Sequence, residues 1–465
     1  MRSEEDFIGK VDVPDDAYYG IFTVRAQKNF RLSRSKVHME LIRAVILIKK
    51  CAALANMELE RLPKKEGDAI VQAAEEALSG KFDNEFIIDA FQAGAGTPLH
   101  MNVNEVLANR AEEILGGELG KYSMVHPNNH VNMSQSSNNV VPSAVRIAAI
   151  KLSGPLISEA KQLQKSLEKK AEEYSKTIKI GRTHLQDAVP VTYGQTFSAW
   201  AAALQKDIKS LEAATDGLRE LGIGGTAVGS GITAHPKFRE KIVEFLNNDV
   251  KVAMAEDAIE MTQNMNDLLE FSGSMRRYAS TISRIANDLR LLSSGPKAAI
   301  AEVILPEVEP GSSIMPGKLN PSVPEAVNMV SFQVVANDQA VLLGAQSGQL
   351  ELNFCAPLIA HNIIQSQELL TSCNKMFREC IDGIKIDEKQ TKENFDRTFG
   401  YATALNPYLG YSKVSKLVSE AYREGVTLKE LVVQKGIMSN EDLEQIIATA
   451  NGPSEIDPKI KERIK

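Results

Sequence analysis

Tryptophan occurs once in this chain, cysteine four times, and all aromatic residues together make up 6% of the sequence. A core short of rings has to be filled by aliphatic side chains, and the 43% apolar fraction, largely Ala, Leu, Ile and Val, suits closely packed helices. An excess of positive charge is also missing. Lys and Arg number 53 against 60 Asp and Glu, a formal charge of -7 with both signs interspersed. That balance excludes a nucleic-acid platform and a polybasic membrane surface. Cys51, Cys355, Cys373 and Cys380 form no CxxC pair and no His/Cys ligand spacing, so free buried thiols are expected rather than a disulfide framework or a metal site. No stretch of about 18 residues stays apolar without polar interruption, so no membrane span is expected. The start, Met1 to Asp6, is acidic and lacks the apolar segment of a signal peptide, which leads to the expectation of a cytoplasmic protein. There is no GxGxxG, no Walker loop, no HExxH and no internal repeat; neither a cofactor nor a metal is expected.

What the chain has is helical periodicity. Its 465 residues exceed the usual size of one domain. Up to about Asn139 short helical patterns alternate with polar loops rich in Gly, Asn and Pro. Leu152, Leu156, Ala160, Leu163, Leu167, Ala171, Tyr174 and Ile178 then recur at spacings of three and four, which predicts a helix of about 30 residues. A second stripe runs Phe197, Trp200, Leu204, Ile208, Leu211. A third alternates three and four strictly from Leu268 to Leu292, the period of left-handed helix packing. Two more apolar stretches, Val323 to Gly344 and Cys355 to Cys380, complete five long helices. The expected organisation is mainly α: an N-terminal mixed helical domain at 1–138, a central five-helix bundle at 139–390 and a small C-terminal helical domain at 391–465. Thr427 and Ser439, each with an acid three residues on, read as capping-box starts of C-terminal helices. Leu352 to Ser366 contains no formal charge and so has no solvent face; a soluble protein would bury it in an assembly larger than one chain.

Four polar clusters interrupt this apolar pattern and read as loops at helix ends: Gly96 to Glu105, Ser134 to Asn139, Gly181 to Asp187, and Gly311 to Asn320. Taken singly, Ser136 and Thr183 are what helix N-caps demand. His184 alone is as well explained as a hydrogen-bonded core residue. Glu325 fits the favourable place of an acid in a helix's first turn. The fourth cluster resists such readings. Gly311, Pro316 and Gly317 prevent a continuous helix between two helical stretches, while two adjacent serines and Lys318 are held in a Gly-bounded segment suited to a mobile lid. Hydroxyls and helix N-termini together make a site for carboxylates.

The segment Gly311-Ser312-Ser313-Ile314-Met315-Pro316-Gly317-Lys318-Leu319-Asn320 matches G-S-S-x-M-P-x-K-x-N at every fixed position. Blocks at 101–110, 130–138, 181–187 and 224–229 follow the same family's order. On these residues the chain resembles the aspartase/fumarase superfamily. The resemblance implies a homotetramer whose central helices form one bundle, with each active site built from loops of three subunits. It implies reversible anti-elimination across a succinyl skeleton, with a small dicarboxylate as substrate. Ser312 would be the base. Lys318 and Asn320 would hold the α-carboxylate, with Thr97, Ser136, Ser137 and Ser313 around the carboxylate beside the acidic carbon. Asn138, Thr183 and His184 would face the leaving group, and Glu325 would orient His184.

Two branches compete. Val323-Pro324-Glu325 and the run from Gly348 to Asn353 resemble the ammonia-eliminating aspartase branch, where class II fumarases usually carry T-Q-C-E and G-H-F-E-L-N. A catalytically silent helical scaffold is the alternative of another class; Ser312, Lys318, Asn320, His184 and Glu325 together argue against it. The chain departs from both branches at Pro98, His100 and Asn139, which points to a changed loop backbone at Pro98. His126 to Asn129 partly resembles a secondary dicarboxylate site of fumarases.

Overall fold

The computed structural model describes residues 1–464. Helix accounts for 61% of the chain. Among the described residues strands occur only in pairs: Arg2–Asp6 with Gly9–Val13, Ile178–Thr183 with Gln186–Thr192, and Val303–Ile304 with Lys385–Ile386 are antiparallel, while Glu220–Leu221 runs parallel to Ala253–Met254. The mainly α expectation holds.

The five long helices are Ser137–Glu173, Tyr193–Gly217, Asn266–Leu292, Ser322–Ala345 and Ala356–Gly383. Their apolar stripes are buried as the spacing requires: Leu156, Leu163, Leu167, Leu204, Leu211, Leu268 and Phe271 have no exposure at all. The first helix starts earlier than its stripe and runs through Pro142 and Pro155. It also ends sooner, because Ile178 opens a strand. By length and composition this helix could cross a membrane, but its most apolar window is 67% buried inside the fold, as in a core helix. The four cysteines are free, three of them buried and Cys355 half-buried.

The chain divides into two compact units, and each long helix contributes a segment to both. The first unit comprises Met1–Ser158, Asp207–Ala279 and Val330–Ser372. Here the helices Met39–Glu58, Lys64–Leu78 and Thr97–Ile114 close around Ile42, Val45, Ile70, Val103 and Val106. Buried Arg146 takes both oxygens of Asp267, at 2.6 and 2.8 Å. The uncharged stretch from Leu352 to Ser366 belongs to this unit and is largely covered within the chain, with Ala356, Ile359 and Ile363 fully buried. The apolar face left uncovered lies instead on Ser322–Ala345. Met329 and Phe332 are 65% and 64% exposed there, with Val335 and Leu343 on the same side, and the one acid along this part of the helix, Asp338, turns inward to Ser272 and Arg276.

The second unit comprises Glu159–Lys206, Ser280–Met329 and the chain from Cys373 onward, described as far as residue 464. Its terminal part is a run of short helices around Phe395, Tyr401, Leu405, Leu428 and Leu443, with Ile180 from the hairpin in the same core. Thr427 forms the expected reciprocal box with Glu430. Ser439 caps its helix by accepting the N–H of Asp442, but the Asp442 carboxylate turns to Arg463, so the second box is half formed.

Candidate active site

The first unit gathers the hydroxyls. Helix Thr97–Ile114 starts after Gly96, whose φ of +86° is left-handed and whose missing Cβ would stand 2.8 Å from Cγ1 of Val141. Glycine thus lets the start of this helix approach the start of Ser137–Glu173, and Thr97 and Ser137 share a hydrogen bond of 2.8 Å between their hydroxyls. Ser136 precedes that second helix and accepts the N–H of Asn138 at 3.2 Å, a capping geometry. The Asn138 amide donates to Ala227 O at 2.8 Å and the Asn139 amide to Thr226 O at 2.9 Å, fastening the glycine-rich segment 224–231 beside them.

Two of the four clusters are therefore not loops. Gly96 to Glu105 is mostly the first turns of a helix, because Thr97 begins it and Pro98 occupies a position where a missing N–H costs nothing. The expected change of loop backbone at Pro98 falls away. Ser134 to Asn139 is loop only as far as Ser136.

Thr183 and His184 lie in the second unit, at the tip of a hairpin. Thr183 pairs with Gln186, leaving His184 and Leu185 as a two-residue turn with φ of +57° and +59°. Thr183 is thus a strand end rather than a helix cap. Two side-chain-bearing residues in the left-handed region carry strain, the kind held at functional sites. The hairpin was illegible beforehand because the turn has neither Asn nor Gly and the strands lack alternation. Next to the tip, Arg182 donates to Glu302 Oε1 at 2.6 Å. Glu302 has no exposure and also accepts from Tyr193 Oη at 2.7 Å and Asn394 Nδ2 at 3.0 Å. Burial and this carboxylate push the Tyr193 phenol well above its ordinary value.

Gly311 to Asn320 is a true loop in the same unit. Its ends are clasped: Gly311 N donates to Lys318 O at 2.8 Å and Asn320 Nδ2 to Gly311 O at 2.7 Å. A Cβ at 311 would stand 2.7 Å from Lys318 O, so glycine is required. Inside the loop Ser312 Oγ accepts two backbone N–H groups, from Ile314 at 3.2 Å and Met315 at 3.0 Å. Such donors stabilise negative charge on the oxygen they point at. Ser313 and Lys318 are exposed, and neither side chain has a partner among the described residues. Lys318, Asn320 and Glu325 line a cavity of about 510 Å³ together with Asn287 and Arg290.

The model of the Lyase family matches residues 9–336, and that of the fumarase C C-terminus matches 402–451. The chain belongs to the aspartase/fumarase superfamily of lyases. It is 44% identical to an aspartate ammonia-lyase of Bacillus sp over 450 residues, 96% of either chain. To a class II fumarate hydratase of Photorhabdus laumondii it is 43% identical over 96% of this chain and 97% of that one. Among solved structures, a fumarate lyase:delta crystallin from Brucella melitensis bound to cobalt superposes with a TM-score of 0.94 at 42% identity, covering 97% of this chain and 100% of that one.

Against the family pattern one pairing is not made within the chain. His184 and Glu325 form no hydrogen bond or ion pair with each other; Glu325 lies in the first turn of Ser322–Ala345 and the exposed His184 ring has no partner among the described residues. No role was given to Arg182, although it stands in the block at 181–187, nor to Glu302 and Arg290, whose sequence surroundings carry no motif that marks them. Nor was Lys49, buried beside His100, singled out. His126 is engaged by its own turn: Nδ1 accepts N–H from Asn128 and Asn129 at 3.1 and 3.3 Å.

Proposed function

We propose that the chain is an aspartate ammonia-lyase, catalysing reversible anti-elimination of ammonia from L-aspartate to give fumarate. The observation that carries the reading is Ser312, an oxygen already facing two N–H donors in the loop that also presents Lys318 and Asn320. A free hydroxyl is a poor base, and donors aimed at its oxygen lower the cost of removing its proton.

Ser312, as an alkoxide whose proton has first passed to solvent, takes the proton from the carbon next to the distal carboxylate and becomes the hydroxyl. The electrons of that C–H bond become the new C=C bond, the C–N bond breaks with its electron pair going to nitrogen, and the substrate's protonated amino group departs as ammonia. Negative charge passing onto the distal carboxylate is stabilised by Thr97, Ser136, Ser137 and Ser313. Lys318 and Asn320 hold the α-carboxylate, and Asn138, Thr183 and His184 receive the amino group. Asn320 has one amide proton committed to Gly311 O, leaving the other for substrate.

The assembly that supports this is a cytoplasmic homotetramer with each site formed by three subunits, its central bundle at 139–390 between domains at 1–138 and 391–465. The uncovered face of Met329, Phe332, Val335 and Leu343 suits a partner helix, and the unpaired His184 and Glu325 suit pairing across subunits.

A second reading, fumarate hydratase, is favoured by the class II fumarate hydratases among the relatives. Absorbance of fumarate formed from L-aspartate, L-malate or argininosuccinate tests the choice. Turnover of aspartate alone is expected; turnover of malate alone overturns the proposal, and no turnover of any of them restores a silent scaffold.

A further inference from the structure

Beneath the loop that carries Ser136 lies a lysine with no carboxylate. Lys49, on helix Met39–Glu58, has no exposure, and His100 beside it is 2% exposed. The Lys49 amine donates to Asn132 Oδ1 at 2.9 Å and Gln135 Oε1 at 3.0 Å, and its third partner is Nε2 of His100. Three partners match the three N–H groups of an ammonium, yet none of them bears negative charge.

No carboxylate on a neighbouring element pairs with Lys49. On its own helix Glu40 pairs with Arg43 and Glu58 with Lys241, while Lys50 pairs with Glu75. From helix Thr97–Ile114, Glu105 faces the N–H groups of Gly20, Phe22 and Thr23, and Glu112 those of Ser123, Met124 and Val125. From Lys64–Leu78, Glu76 faces Arg110 and Lys81, Asp68 faces Lys64, and half-buried Glu66 has a carboxylate oxygen without a partner among the described residues; from Phe238–Leu246, Glu244 faces Lys241. In the turn Pro127–Val131, His130 accepts the backbone N–H of His126. Burial alone holds Lys49 well below its ordinary value; burial, then the Lys49 charge, does the same to His100.

The same four groups stay satisfied with one proton more or fewer. As an ammonium, Lys49 donates to all three acceptors, with the His100 proton on Nδ1. As an amine it donates to Asn132 and Gln135 and accepts from Nε2–H of His100. The change is one of proton and tautomer, with no heavy atom displaced. Gln135 is the residue before Ser136, and Asn132 Nδ2 donates to Gln135 O at 3.3 Å, so the amine props the segment that leads into Ser136 and Ser137.

We propose that Lys49 and His100 form a proton-sharing pair that becomes positively charged when a dicarboxylate binds at the Ser136–Ser137 segment, coupling anion binding to uptake of one proton from solvent. This rests on the dicarboxylate reading of that segment. Both are positioning residues, acting through Asn132 and Gln135. The dianion is the counter-charge that the fold withholds, so binding weakens as rising pH makes the proton harder to acquire.

Succinate tests this, since it has the two carboxylates but no amine and no leaving group. Calorimetric titration of the intact protein in buffers of different ionisation enthalpy is expected to give a buffer-dependent heat corresponding to about one proton taken up. In His184→Asn the dependence persists, which separates it from that exposed ring. Lys49→Met abolishes it and weakens succinate at least tenfold. If Lys49→Met does not fold, His100→Asn decides: it keeps an acceptor for the ammonium and moves the pH midpoint of succinate affinity. Binding with buffer-independent heat, or an unmoved midpoint in His100→Asn, overturns the coupling alone. Absence of succinate binding, or binding untouched by Ser137→Ala, overturns the reading of the segment and the coupling with it.

Discussion

Arg182 and Glu302 are joined by a 2.6 Å hydrogen bond in which the carboxylate has no exposure, one residue before Thr183 and ten before Ser312. The hairpin that presents Thr183 and His184 is thereby tied to the strand Val303–Ile304, which leads toward the serine loop. Removing one partner of a buried pair leaves the other charged and unpaired, at a cost of about 3–5 kcal/mol. Glu302→Ala is expected to lower the unfolding free energy, measured by urea titration, by that order and to reduce kcat in the protein that remains folded. A midpoint close to wild type would remove the tie.

Ser312→Ala deletes the hydroxyl and leaves the clasp between Gly311, Lys318 and Asn320 untouched. Turnover of L-aspartate should fall by about 10³-fold or more, in the upper range for loss of a general base, with helical content unchanged by circular dichroism. Near-normal turnover would remove Ser312 as base.

Lys318 has no ion pair among the described residues, so Lys318→Ala should leave thermal stability within about 0.5 kcal/mol of wild type. Its effect belongs in KM, raised by roughly tenfold to a hundredfold for the loss of one charge-assisted contact. Steady-state kinetics with an unchanged KM would contradict the carboxylate role.

The Glu76 carboxylate lies between Arg110, which grips both oxygens at 2.8 and 2.9 Å, and Lys81. The Arg110 bonds hold it down at about 2, against 4.5 for an ordinary Glu. A depressed folded value means stability fully present above about pH 4.5 and lost as pH falls through about 2. Glu76→Gln should therefore cost about 2 kcal/mol at neutral pH. The gap between variant and wild type should narrow below about pH 4.5. Urea midpoints measured from pH 7 down to pH 3 check it; a gap that stays constant would deny the ion pair its role.

The long helices were readable because burial leaves a period in the sequence: Leu268 to Leu292 keeps its three-four spacing and all its members are buried. The serine loop was readable because glycines and proline interrupt that period. What escaped notice depends on contacts between distant residues. Glu302 looks like any acid before a strand, and nothing local says that Arg182, Tyr193 and Asn394 converge on it. Likewise the absence of charge from Leu352 to Ser366 signalled burial correctly, but could not tell burial by the chain's own helices from burial by a partner.

The face that does remain open gives a further test. Phe332→Glu places a charge among Met329, Val335 and Leu343. Sedimentation should report a smaller species, with aspartate turnover falling alongside, because the proposed sites draw on several subunits. Wild-type sedimentation of this variant would move the interface elsewhere.

The clasp at Gly311 has one more consequence. It fastens residues 318 and 320 to residue 311, and Ser312 follows immediately. The backbone separation of Ser312 and Lys318 is thereby set, while the four-carbon stem of Lys318 keeps its freedom. If the proposed roles hold, base and carboxylate anchor travel together: whatever moves one of them toward a ligand moves the other.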